Sequence, residues 1–116
     1  MTRGSREIEK STRIRELNDR LRTEGTGGQV VAVGRLAHED GEFRQRVLDA
    51  VRAQQVTTGD GDDPYSEHDF GNLEVEGQQI IWKIDYYDLN MEFGSDAPED
   101  PDQTRRVLSI MRAEDY

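Results

Sequence analysis

Residues 72–87, NLEVEGQQIIWKIDYY, constrain the fold more than any other stretch. Leu73 and Val75 alternate with Asn72, Glu74 and Glu76; beyond the turn, Ile80, Trp82, Ile84 and Tyr86 alternate with Ile81, Lys83, Asp85 and Tyr87. Two period-two runs joined through a glycine are the pattern of a β-hairpin with one apolar face. A two-residue turn at Gly77–Gln78 pairs Glu76 with Gln79, Val75 with Ile80 and Leu73 with Trp82, so the apolar faces coincide.

The flanking segments supply elements to cover that face. Residues 5–24 read as a helix, with Ile8, Ile14, Leu17 and Leu21 roughly on one side and Gly25, Gly27 and Gly28 ending it. QVVAVG, residues 29–34, reads as a short buried strand between glycines. A second helix is expected over 40–54, capped by Asp40, with Phe43, Val47, Leu48 and Val51 as its apolar stripe. LNMEF, residues 89–93, offers a third strand with Leu89, Met91 and Phe93 on one side. Asp100 followed by Pro101 looks like a helix start, and 102–113 reads as a final helix with Val107, Leu108 and Met111 inward. The expected fold is α+β: a small, mainly antiparallel sheet built on the central hairpin, with about three helices packed on it. The 116 residues fit one domain, with 1–13 as a frayed start or N-terminal extension.

Charge separates the chain into unlike parts. The net charge is −10, but residues 1–22 hold seven bases against four acids, while 60–102 hold fourteen acids and one base, Lys83. An acidic block of that kind repels phosphates, so direct nucleic-acid binding is not expected; it attracts a basic protein surface, or simply keeps the chain soluble. There is no cysteine, which removes disulfides, thiolate chemistry and Cys-type zinc sites. With no apolar run long enough for a bilayer and no apolar core to MTRGSREIEK, the expectation is a cytoplasmic protein with no membrane association.

As a set, LNDRLR (17–22), GGQVVAVG (27–34), DPYSEHDFG (63–71), WKIDYYD (82–88) and DQTRRVLSIMRAEDY (102–116) resemble the bacterial domain-of-unknown-function family 3768, in its order and spacing over about residues 14–116. The linked DPY-x-EHDFG and WKIDYYD blocks are the specific part. The Arg-rich start is extra to the family pattern, and Asp62 stands where an asparagine is usual. The resemblance implies a compact one-domain protein often encoded on plasmids, phages or integrated elements. It implies no activity.

Chemistry-bearing residues concentrate around DPYSEHDFGN. An acid–base site would draw on His68 and Asp69, with Asp85 and Asp88 converging on them. Against it, neighbours on an extended chain point to opposite sides, and no Ser or Cys sits in a nucleophile setting; a histidine bonded to backbone at a loop-to-strand junction is the plainer account. Asp60, Asp62 and Asp63 with Glu67 or Asp69 supply oxygens for a hard cation, but Tyr65 and Gly71 stand where an EF-hand counted from Asp60 needs glycine and glutamate. A nuclease of the Asp…Glu-x-Lys type fails because Ile81 precedes Lys83 by two; Lys83 more simply pairs with Glu74 or Asp85. Of Tyr86 and Tyr87, one belongs in the core and one at the surface, where a tyrosine beside acids makes a protein-binding anchor. No cofactor or metal is expected.

Two functions follow. The first is a non-enzymatic interaction protein whose acidic face, carried by Asp60, Asp62, Asp63, Tyr65, Glu67, Glu74, Glu76, Tyr87 and Asp88, blocks a basic surface of a nucleic-acid-handling complex, in the manner of an anti-CRISPR or anti-restriction inhibitor. The second is a small enzyme or metal-binding domain around His68, Asp69, Asp85 and Asp88.

Overall fold

The computed structural model describes residues 5–56 and 66–116. In chain order they form α1 (Ser5–Glu24), β1 (Gly28–Ala32), a 3-10 turn (Gly34–His38), α2 (Gly41–Ala53), β2 (Phe70–Val75), β3 (Gln78–Tyr87), β4 (Arg105–Arg112) and a closing 3-10 turn (Ala113–Asp115). The strands make one sheet in the order β1-β4-β3-β2. β2–β3 and β3–β4 run antiparallel, and β1 runs parallel to β4, so this is an α+β fold with a mixed four-stranded sheet and two helices.

Both helices form where their apolar spacing places them. On α1, Ile14, Leu17 and Leu21 are buried, while Ile8, in the helix's first turn, is exposed. α1 ends at Glu24, where Gly25 turns left-handed and its N–H bonds Leu21 O at 2.9 Å. Phe43, Val47 and Val51 of α2 are buried one turn apart. They meet Val75, Ile80, Trp82, Ile84, Leu108 and Ile110 of the sheet in one apolar core.

Four expectations are corrected. Residues 105–112 are a strand, not part of a helix over 102–113; β4 lies second in the sheet and buries residues on both faces, so its run of apolar residues lacks the alternation that distinguishes a strand. Residues 89–93 are not a strand, because the chain turns back at Met91, whose φ is 61°. The hairpin turn is Glu76–Gly77, both at positive φ (52° and 81°), as a type I′ turn requires. Val75 therefore faces Gln78 and Leu73 faces Ile80, while Trp82 faces Gly71. The shift is even, so every side chain keeps its expected face. Finally, β1 is an edge strand, half-buried at best, rather than a buried one.

The register sorts the sheet into two faces. Arg106, Leu108 and Ile110 share the helix side with Tyr86, Ile84 and Trp82. Val107, Ser109 and Met111 share the other side with Asp85, Lys83 and Ile81. Among the described residues neither α-helix lies on this second side, where the C-terminal Tyr116 packs edge-on against Phe70, ring centroids 5.5 Å apart. Among the described residues, no helix is long and apolar enough to cross a membrane.

Candidate functional site

At one end of the helix side a buried polar network joins α1 to the sheet. Asn18, fully buried, is its hub. Asn18 Nδ2 donates to Glu67 O at 3.0 Å and to Tyr86 Oη at 2.8 Å. Tyr86 Oη donates in turn to Glu67 Oε1 at 2.8 Å. Arg106 Nε donates to Asn18 Oδ1 at 2.8 Å, its Nη2 bonds Pro98 O, and its guanidinium lies 5.1 Å from the Tyr86 ring centroid. Each partner has a use for the polar groups the others bring, which is what makes burying a charge tolerable. Burial and the Glu67 charge push the Tyr86 phenol well above its ordinary range, so it stays protonated. Burial also lowers the Arg106 pKa, opposed by the surrounding Tyr86 and Glu67. The network positions segments; it offers no activated nucleophile.

Beside it, His68 Nδ1 stands 2.9 Å from Asp19 Oδ1. Ser66 and His68 both take left-handed backbone, φ 57° and 56°, which non-glycine residues adopt only when their surroundings hold them there. Arg15 Nη1 and Asn18 Nδ2, donating to the Ser66 and Glu67 carbonyls at 3.2 Å and 3.0 Å, do that holding.

Two members of the expected acid–base set are drawn away to other tasks. Asp69 follows His68 in the chain and its charge acts on Tyr86, while its backbone O accepts from Ile84 N at 2.8 Å, extending the β2–β3 ladder. Asp85 Oδ2 pairs with Lys83 Nζ at 3.2 Å on the face without helices. Asp88 Oδ1 accepts from Glu92 N at 3.0 Å in the loop after β3. Among the described residues, no three His, Asp or Glu side chains are grouped to hold a metal ion.

The expected acidic face is likewise divided. Asp60, Asp62, Asp63 and Tyr65 lie outside the described residues. Glu67 turns inward to Tyr86. Glu74 and Glu76 are exposed at the hairpin turn, Glu76 paired with Arg46 of α2, an ion pair that raises the arginine's pKa. Tyr87 and Asp88 lie at the opposite end of β3, roughly 30 Å away for a strand of this length.

What gathers at that far end is the β3–β4 connection, residues 88–104. Asp88, Glu92, Asp96, Glu99, Asp100 and Asp102 lie on it, Glu99 paired with Lys10 at 3.8 Å. Its first turn is held tightly. Asp88 N donates to Phe93 O at 2.8 Å, Met91 N to Asp88 O at 3.0 Å, and Tyr87 bridges Gly94. The backbone so fixed presents Leu89, Met91 and Phe93 to solvent, 48 %, 43 % and 72 % exposed. Three large apolar side chains held out of the core on one short turn, among acids, are the feature of the surface that folding alone does not require.

Asn18 and Arg22 lie within the LNDRLR block, and the helix period is what marks them as buried. Ser11, Asn18 and Arg22 are buried beside Ile14, Leu17 and Leu21 on the same stripe. A polar residue on an apolar stripe must find partners. Arg22 finds Val51 O at 2.7 Å, Gln54 O at 2.9 Å and the Trp82 ring, 5.4 Å to its centroid. For Leu89, Met91 and Phe93, the period-two spacing reads as a strand with the three on one side, where the structure has a turn that exposes them.

No curated protein and no solved structure matches this chain. A family model does, over residues 29–115, which include DPYSEHDFG, WKIDYYD and the C-terminal block: the chain belongs to the family described as proteins of unknown function, DUF3768.

Proposed function

We propose that this chain is a small, acidic, non-enzymatic interaction protein that occupies a basic, nucleic-acid-binding surface of another protein. The observation that carries the reading is the β3–β4 connection, where exposed Leu89, Met91 and Phe93 stand among six carboxylates. Apolar anchors on a pre-formed turn provide affinity with little ordering loss, and the carboxylates around them select a partner whose apolar notch is ringed by Lys or Arg. Carboxylates spaced along a surface also stand in for phosphates. The mobile-element setting that the family resemblance implies makes the partner a host defence complex, in an anti-CRISPR or anti-restriction role. The test is protection. Cells producing the protein are challenged with phage in the presence of a restriction endonuclease or a CRISPR effector. Restored plaquing that is lost in a Phe93→Ser/Glu92→Lys variant supports the reading; no protection against any system tried, or protection indifferent to that variant, argues against it.

A second reading, acid–base chemistry, is favoured by the 2.9 Å contact between His68 Nδ1 and Asp19 Oδ1, the geometry in which a carboxylate orients an imidazole. Here Asp19 takes the part expected of Asp69, Asp85 or Asp88. Substrate turnover in a hydrolase panel that disappears in Asp19→Asn would support it; an inert protein would retire it.

A further inference from the structure

The sheet has two edges, and the chain treats them differently. The β2 edge is blunted: Gln54 Nε2 donates to Asn72 O at 2.7 Å, and the strand carries the exposed charge of Glu74. The β1 edge carries none of these devices. Val33 N donates to Ile110 O at 3.0 Å, so in a parallel ladder the odd residues of β1 face β4 and the N–H and C=O of Val30 and Ala32 point outward. Among the described residues, no group reaches those four atoms. On the helix side, a groove of about 280 Å³ separates the strand from Gly41, Arg44, Gln45 and Leu48 of α2.

Charge identifies the occupant. Residues 25–34 are the longest stretch of the chain without Asp, Glu, Lys or Arg: ten residues in a protein that is 34 % charged. Two copies, each at −10, repel wherever their acids approach, and this run brings no charge of its own to the contact. A second copy brings the same uncharged run and the same four unpaired backbone atoms. We infer that the protein self-associates through β1, two copies pairing antiparallel about a two-fold axis at Val31 to make one continuous eight-stranded sheet.

The register follows from which atoms are free. Val30 of one copy lies opposite Ala32 of the other and exchanges both N–H···O bonds with it, and the symmetry repeats the pair, giving four bonds. Val31 then faces Val31 of the second copy at a non-hydrogen-bonded position, with Cα atoms about 4.5 Å apart. Its side chain is on the same face as Ser109, its register partner on β4, so the two valines approach on that face. The paired segment is short, so the dimer is weak and depends on concentration.

The test uses the full chain, which contains no cysteine. Sedimentation velocity over a wide concentration range is expected to show the mass rising towards twice that of the chain. Val31→Cys is expected to form a disulfide-linked dimer under mild oxidation, since about 4.5 Å between Cα atoms lies within disulfide reach. Gln29→Cys, offset from its own copy in this register, stays unlinked. Ala32→Pro, which removes an outward N–H and leaves the β4 ladder intact, is expected to hold the protein monomeric. A monomer at every concentration overturns the inference. So does a dimer that cross-links equally at 29 and 31, or one that survives Ala32→Pro. Should Ala32→Pro fail to fold, the cysteine pair alone decides.

Discussion

Gly71 lies directly opposite Trp82, and a Cβ on it would stand 2.5 Å from the indole Nε1. The two most specific blocks of the sequence, DPYSEHDFG and WKIDYYD, therefore meet at this contact: the missing side chain of one is the space the indole of the other fills. Trp82 is wholly buried and its Nε1 donates to Gln54 Oε1 at 2.8 Å, so the ring has nowhere to retreat. Gly71→Ala is expected to destabilise the fold by about 1–3 kcal/mol through overpacking. Urea denaturation measures it, and a midpoint equal to that of the unsubstituted protein would show that the indole yields.

Asn18 joins α1 to the Ser66–Asp69 segment, to β3 and to β4 at once. Asn18→Ala leaves Arg106 Nε, Tyr86 Oη and the Glu67 carbonyl each short of a partner, at about 1–3 kcal/mol for a buried group left unsatisfied. Ile8→Ala, on the exposed start of the same helix, is expected to change stability by less than about 0.5 kcal/mol. Equal effects from the two would mean that the network contributes nothing.

The Tyr86 phenol titrates above its unfolded value of about 10, first because it is buried and second because Glu67 is charged beside it. A group whose folded pKa is raised contributes its full stabilisation below the unfolded pKa and loses it as pH rises. Stability is therefore expected to decline above about pH 10, and the decline to be shallower in Tyr86→Phe, which at neutral pH is weaker by about 1 kcal/mol for its lost hydrogen bonds. Parallel stability–pH curves for the two proteins would contradict this.

Glu76 occupies a left-handed position of the hairpin turn, which disfavours it by about 1–2 kcal/mol relative to a residue suited to that conformation. Its pair with Arg46 is exposed and screened by solvent, so it returns less than that. The difference favours replacement: Glu76→Asn, giving the Asn-Gly turn, is expected to raise the thermal midpoint. A lower midpoint would place more weight on the ion pair than exposed pairs usually carry.

How much of this was legible depended on which faces of an element are covered. The β2–β3 hairpin, with one face against helices, displays its alternation, and residues 73, 75, 80, 82 and 84 take the side expected of them. Only the turn was misplaced, because the choice between Gly77–Gln78 and Glu76–Gly77 rests on backbone angles that Glu76 conceals. β4 is covered on both faces, so RRVLSIMR has no polar side to betray its period, and Asp100–Pro101 imitated a helix start. Asp19 and Arg106 come together with His68 and Tyr86 only through packing between distant segments, for which spacing along the chain gives no cue. Leu89, Met91 and Phe93 carry a strand's spacing on a turn that Asp88 ties back on itself.

The most direct measurement is binding of the purified protein to purified restriction and CRISPR effector proteins, with duplex DNA as competitor, beside a Phe93→Ser/Glu92→Lys variant. Both substituted side chains are exposed, so the variant is expected to fold with stability within about 0.5 kcal/mol of the original. The account predicts a complex at low salt that DNA displaces, that raised salt weakens, and that the variant does not form. A complex that forms equally well with the variant, or one that DNA leaves untouched, would contradict it.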